Sequence, residues 1–532
     1  MSRFSSLGRR VTALTAVAAV SMLSVEQPAG ASSRHAQVIG TGSSWAANAV
    51  NQWVSDVQRD QGLQVVFTAP GSAQGRRDFA NYNTDFAVSD LGYQGRDPKS
   101  GATDATNRPF AYLPLVAGGT AFPYNLHVGG QRVVDLRLSG ATLAKIFTGL
   151  IVNWDDPAIT ADNNGLPLPS ETIIPVLNSA ASGENYQFSN YLARTFPALW
   201  SAYSGQSSAS EYFPIGSGQV AESGSDGVMN YVSSVRGEGT IGLDAYSYAL
   251  NAHYPIAKVL NSAGYYTLPT EYNVAVALTR AKINSDPASP DYLLQNLDDV
   301  YTNTDPRSYL LSSYSYGIIP TSATDNNMTT PKRQTLVDFL SYAVCGGQGE
   351  VGVIGYSPLP ENLVEEAFTQ IAKLRTADSR VDISGMSARN CANPTIDQSD
   401  PTQNRLATVA PQPIACDRVN AGPCQPWAAV APTPSPTVQP SPTPSSTAPP
   451  TSGAATPTSG VDALAQTADP STADSNAADP STADPNQQPL AATGADEESP
   501  TILGALLLAA GGLALLAARR AKRPRATAQH RC

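Results

Sequence analysis

From residue 35 the chain alternates short apolar runs with stretches whose apolar positions recur every three or four residues. That is the pattern of strands alternating with helices. Residues 37–40 read as a strand and Gly40-Thr41-Gly42-Ser43-Ser44-Trp45 as a loop. Ala46, Ala49, Val50, Trp53, Val54 and Val57 then fall on one helical face. Residues 64–68 predict a second strand, followed by Gly71-Ser72-Ala73-Gln74-Gly75 and a short helix beginning near Arg76. Residues 85–88 predict a third strand, ending at Ser89-Asp90. Residues 110–127, with Leu113, Leu115, Val116 and Ala121 around Gly118-Gly119, read as a buried crossing strand. Further helical faces carry Leu143, Ile146, Phe147 and Leu150; Phe188, Tyr191 and Leu192; Val228, Tyr231, Val232 and Val235, from Asp226; and Leu336, Phe339, Leu340 and Ala343. Strands are expected at 173–177, around Ile241-Gly242-Leu243, and at 313–320. This order implies an α/β fold with parallel sheets.

In such sheets a ligand sits at the carboxyl ends of the strands. Three successive strand ends deliver Ser44, Ser72 and Asp90 to one edge. Serine hydroxyls and free helix-terminal N–H groups donate to oxygen, so the edge suits an oxyanion. Asp90 as a carboxylate only accepts; it either receives the proton of a protonated anion or caps a helix. The stretch 175–188 repeats the device, since a strand leads through small residues into a helix N-terminus. Alone it would be an ordinary strand-to-helix turn; its recurrence is what favours an anion site. Gly-x-Gly at 40–42 is no dinucleotide fingerprint, because position 45 is Trp. The net charge of −11 gives no general affinity for nucleic acid. Beyond the first 31 residues and before the basic tail only His35, His127 and His253 occur. There is no metal-ligand spacing and no Gly-x-Ser-x-Gly, so neither an enzyme nor a cofactor is expected.

Together these stretches resemble the phosphate-binding proteins that feed phosphate ABC importers. The resemblance is carried by the loops at 40–45 and 71–72 and by Asp85-Phe86-Ala87-Val88-Ser89-Asp90. It continues through residues 149–159 with Trp154-Asp155-Asp156, residues 166–170, Ser182-Gly183, Ser225-Asp226-Gly227-Val228, Gly239-Thr240-Ile241-Gly242 and residues 356–360, in family order. It implies a two-lobed periplasmic-binding-protein type II fold with a hinge over residues 36–375. Lobe 1 would take about 36–115 and 310–375, and lobe 2 about 120–305. It implies that the lobes close on a desolvated phosphate. Ser44, Trp45 and Ser72 would donate, Asp90 would accept the ligand's proton, and Ser182 and Gly183 would donate from the second lobe. The family pattern Arg-x-Asp-x-Ser-Gly-Thr departs here at its first, third and last positions, which are Asn178, Ala180 and Glu184. Arg76 and Arg77 either replace the lost charge or are solvated at the surface. Glu184 is protonated, turned away from the anion, or pointed to solvent as a first-turn partner of the helix dipole.

The ends add an address. Residues 1–31 read as a secretory signal, with Arg3, Arg9 and Arg10, an apolar run, and Ala29-Gly30-Ala31 as the cleavage site. Export favours disulfides over zinc for Cys345, Cys391, Cys416 and Cys424, with Cys345–Cys391 and Cys416–Cys424 preferred by proximity; Cys532 lies in the terminal tail. Residues 376–431 form a Cys-containing extension expected to pack back on the first lobe. Residues 432–489 have the Pro/Ser/Thr/Ala composition of a disordered stalk. Leu490-Ala491-Ala492-Thr493-Gly494, the apolar run 501–518 and a basic tail through 532 resemble a sortase sorting signal. The run is long enough for a single C-terminal membrane segment before processing. The expectation is a cell-surface-anchored binding protein for phosphate or a similar oxyanion. Its partners would be sortase, peptidoglycan and an ABC permease. The alternative is a wall-anchored adhesin or interaction module with the same fold and no phosphate.

Overall fold

The computed structural model of the chain describes residues 34–96, 103–400 and 403–427. The expected signal (1–31), stalk (432–489), sorting signal with its apolar run 501–518, and Cys532 lie outside the described residues. Among the described residues no helix is long and apolar enough to cross a membrane.

Two main sheets organise the described residues. The first has six strands, in the order Asp244–Ala245, Phe110–Ala121, Ser312–Pro320, Phe86–Ser89, Val38–Gly42, Val65–Thr68. The last three are parallel, with Gly42 beside Val88 and Thr41 beside Thr68. Ser312–Pro320 runs antiparallel to both of its neighbours. Every residue of Ser312–Pro320 is buried, as is all of Phe110–Ala121 except Phe110. Phe110–Ala121 carries the near-continuous apolar run of a strand covered on both faces; Ser312–Pro320 is buried in spite of Ser312, Ser313 and Ser315. Helices Ala47–Gln61, Ser72–Ala80, Thr330–Val344 and Glu361–Ile371 pack against this sheet or its flanking helices. The second sheet has four strands, in the order Val220–Glu222, Ile174–Asn178, Thr240–Gly242, Tyr124–Asn125; only the last is antiparallel. Beside it Phe188 meets Phe147 edge-to-face at 5.2 Å and Phe122 at 5.4 Å. Each such pair adds about 0.5–1.5 kcal/mol beyond burial.

Some boundaries differ from the expectation. The helix expected near Arg76 starts at Ser72, because Gly71 at φ +109° takes the N-cap position that a side chain resists. The helix Gly140–Phe147 ends before Leu150, which is exposed; the left-handed Gly149 stops it. The helix Gly224–Ser233 ends before Val235, whose side chain stands fully in solvent.

Both expected disulfides form, with Cα–Cα distances of 4.7 Å for Cys345–Cys391 and 5.2 Å for Cys416–Cys424. The extension does not pack on the first lobe alone. Asn393 Nδ2 and Thr395 Oγ1 donate to Leu359 O at 2.8 and 2.6 Å. The helix Arg405–Val409 instead packs on Glu271–Leu278, burying Leu406 beside Ala275 and Val276. The loop 416–424 is held by the small sheet of Arg137–Leu138, Lys258–Leu260 and Tyr266–Thr267. There the buried Arg137 donates to the carbonyls of Cys416 and Ala421, and Lys258 Nζ lies 2.6 Å from Asp417 Oδ1. Arg137 also lies 3.6 Å from Asp417 Oδ1, so charge as well as carbonyl acceptors holds the loop to it.

Candidate ligand-binding site

The three parallel strand ends of the first sheet meet the N-terminus of helix Gly183–Thr195 from the second. Asp90, 1% exposed, follows the strand Phe86–Ser89. Its Oδ2 accepts from Ser43 Oγ at 2.7 Å and Ser72 Oγ at 2.9 Å. Its Oδ1 is buried without a partner. No helix starts at Asp90, so it caps none. The expected first-loop donor, Ser44, is one residue from the hydroxyl that reaches Asp90. Ser44 faces the second sheet, accepting from Ser225 Oγ at 3.3 Å and, at the distance limit, from Asn178 Nδ2 at 3.5 Å. Tyr248 OH donates to its carbonyl at 2.8 Å. Trp45 is buried, with its Nε1 unpartnered and its ring edge-to-face with Tyr356 at 5.7 Å.

From the second sheet, Ser182 caps its helix by accepting from Asn185 N at 3.4 Å, and its own N–H donates to Glu211 O. Gly183 is pressed on Asp90: a Cβ built on it would collide with the carboxylate. Gln187 Nε2 reaches the Asp90 carbonyl at 3.1 Å from the next turn of that helix. Asn178 ends the strand Ile174–Asn178 and is spent locally. Its Oδ1 accepts from Ala180 N and Gly224 N, and its Nδ2 donates to Glu184 Oε1 at 2.8 Å.

Glu184 does not point to solvent; it is fully buried. Its Oε1 is bonded by Asn178 and, at 3.4 Å, by Ser225, while Oε2 is buried and unpartnered. Burial pushes its carboxyl up to about 7; the Asn178 bond opposes this and the Asp90 charge adds to it. Burial likewise raises Asp90, against the pull of Ser43, Ser315, Ser72 and Arg76. Asp244 rises well above the usual carboxylate range, first through burial and then through Glu184; its Oδ2 also lacks a partner. The site thus gathers three fully buried acids.

Arg76 is not a solvated surface residue; it is 0% exposed. It does not enter the site as a free cation either. Its Nε donates to Asp104 at 2.9 Å, Nη1 to Ser89 Oγ at 2.9 Å, and Nη2 to Glu211 Oε2 at 2.6 Å. It ties the first sheet's helix to the loop that leads into Val220–Glu222. Arg77 is exposed and bonded to Gln74. A cavity of 540 Å³ opens beside the site, lined by Asp90, Tyr93, Tyr186, Gln187, Asn190 and Arg194 among others. Asp135, Asp417 and Cys424 converge elsewhere. Cys424 is bonded to Cys416 and Lys258 Nζ lies within 2.7 Å of both carboxylates, so that cluster already has its cation.

Sequence reasoning missed Ser43, Gln187, Glu211 and Asp244. Asp244 directly follows a predicted strand end, the signal that found Asp90. Glu211 sits in an irregular stretch and carries no such signal.

The PBP superfamily domain matches residues 27–346. The phosphate-binding protein PstS3 of Mycobacterium bovis is 30% identical over 336 residues, covering 62% of this chain and 85% of that one. The phosphate-binding protein PstS of Xylella fastidiosa is 27% identical over 344 residues, covering 64% and 87%. A solved phosphate-binding protein from Stenotrophomonas maltophilia has 18% identity and a TM-score of 0.47, covering 62% of this chain and 93% of that one. With more than half of its length matched by the domain and most of a curated relative covered at 30% identity, the chain belongs to the PBP superfamily, in the PstS family of phosphate-binding proteins.

Proposed function

We propose that this chain is an exported receptor that encloses phosphate, or a similar small oxyanion, between its two sheets and delivers it to an ABC importer. Family membership supports the receptor role. The observation that carries the site is Asp90, held by two serine hydroxyls and pressed against the helix N-terminus at Gly183. A carboxylate fixed there accepts a proton that phosphate carries and sulfate lacks. Ser44, Trp45, Ser72, Ser182 and Gly183 supply donors around it, and Asn178 and Glu184 line the second-sheet side. Residues 36–375 act as the binding body; residues 432–489 space it from the surface, and 490–532 tether it there through a sortase. The support for the tether is the order of motif, apolar run and basic tail in the sequence. Titration calorimetry with phosphate tests the receptor reading; no heat and no thermal shift at millimolar phosphate would sink it.

A second reading keeps the fold as a wall-anchored interaction module without phosphate. It is favoured by one observation: Asn178 and Glu184 stand where the family has Arg and Thr, and the cleft closes on hydrogen bonds among its own residues. The same titration separates the two.

A further inference from the structure

The second-sheet half of the cleft buries an acid, Glu184, whose side-chain partners Asn178 and Ser225 are both neutral. Asn178 is neutral and fully committed to Glu184, Ala180 and Gly224. The cation that acts on Asp90 is Arg76, and its donors go to Asp104, Ser89 and Glu211. The other groups facing Glu184 are acidic or phenolic. Asp90 follows the strand Phe86–Ser89, Asp244 opens the edge strand Asp244–Ala245 of the same sheet, and Asp226 lies in the helix Gly224–Ser233; Tyr248 comes from the helix Tyr246–Asn251, and Tyr356 adjoins both Asp90 and Asp244. Glu211 adds negative charge behind Asp90. An ionised Glu184 here would leave two carboxylates and a phosphate dianion in one dry cleft. Its Oε2 is buried with no partner, an oxygen that carries a proton without displacing any bond in the structure.

We infer that Glu184 works as a neutral carboxylic acid that donates its proton in a hydrogen bond to an oxygen of the bound oxyanion: beside an ionised Asp90 the cleft takes phosphate as the monoanion, and Glu184 is protonated as the complex forms. The inference rests on the receptor reading above. No covalent bond changes. The ligand gives a proton to a hydrogen bond with ionised Asp90 and receives one from Glu184. Asp90 and Glu184 therefore play opposite parts, set by their surroundings. Asp90 has the field of Arg76 besides its serine donors to hold its charge, whereas the groups that favour the charged form of Glu184 are neutral: the Asn178 amide, its own backbone N–H and Ser182, with a long contact from Ser225. Above neutral pH, free Glu184 has largely lost its proton and free phosphate is mostly the dianion, so both must be protonated as the complex forms.

Titration calorimetry of the full chain with inorganic phosphate, in two buffers of different ionisation enthalpy, counts the protons taken up. At pH 8 the expected uptake is about two protons per phosphate in the wild type and about one in Glu184→Gln, with the difference vanishing by pH 6. Glu184→Thr should bind with the same lower count; it keeps the measurement open if the glutamine variant fails to fold. One proton or fewer in the wild type at pH 8, or equal counts in wild type and variants, overturns the role of Glu184 and leaves the receptor intact. No heat from the wild type at either pH overturns the receptor reading itself.

Discussion

The Asp90 carboxylate lies directly against the Cα of Gly183, with no space for a methyl group between them. The two residues come from different sheets, so their contact is where the two halves meet. Gly183→Ala is expected to hold the halves apart and weaken phosphate binding about 10- to 100-fold, the equivalent of ~1–3 kcal/mol of overpacking. Titration calorimetry measures the loss, and the same collision without ligand is expected to lower the melting temperature by a few degrees. Unchanged affinity would mean that the anion does not need this contact.

Asp90→Asn is expected to lower the preference for phosphate over sulfate. The amide keeps the shape of the carboxylate but can turn a donor toward the anion, and sulfate carries no proton to give away. Competition of sulfate against phosphate reads the change. An unaltered ratio removes Asp90 from the site.

Three buried acids make the empty protein sensitive to alkali. The pKa of Glu184 is raised to about 7 in the folded chain, above that of an exposed glutamate. Its contribution is therefore fully present below the unfolded value, falls as pH rises toward 7, and is gone above it. Asp90 and Asp244 shift in the same direction and add to the slope. In phosphate-free buffer, Glu184→Gln is expected to be more stable than wild type at pH 8, by up to ~3 kcal/mol, and equal to it near pH 4. Urea denaturation at the two pH values checks the crossing.

Arg76 is buried between Asp104 and Glu211, and replacing it leaves two carboxylates without a counter-charge. Arg76→Met is expected to cost about 3–5 kcal/mol in urea denaturation. Changing Arg76 together with Glu211 should cost less than the sum of the two single changes, since the second removes a charge that the first left stranded. Additive costs would show that the pair is not coupled.

Much of this site was legible in the chain because its parts lie at the ends of regular elements. Period-two and period-3.6 patterns place the strands, and the strands place Ser72 and Asp90 at one edge. What escaped depends on contacts across the fold. Ser43 and Ser44 are adjacent and chemically identical, and only the first reaches Asp90, while the second turns to Ser225. Arg76 looked like a surface residue because arginine is mostly exposed. Its burial is set by Asp104 and Glu211, which are 28 and 135 residues away in sequence. Glu184 sits in a first helical turn, where an acid ordinarily faces water and favours the dipole; here it is fully buried and bonded to Asn178 and Ser225. The packing of residues 403–427 was illegible for the same reason, since its anchor is a guanidinium 279 and 284 residues upstream of the carbonyls it holds.

That last segment also sets where a tether of the kind proposed would pull on the described residues. The described chain ends at Trp427, whose indole N–H bonds to Pro167 O at 3.1 Å, just after Gln425 N bonds to Asp135. Tension applied beyond residue 427 reaches these bonds first and then the Lys258–Asp417 and Arg137 contacts, all made with the small sheet or the loop before Ile174–Asn178. Under the tether proposed above, a pull from the C-terminus would be taken up away from the strand ends that carry Asp90 and Ser72, sparing the binding edge.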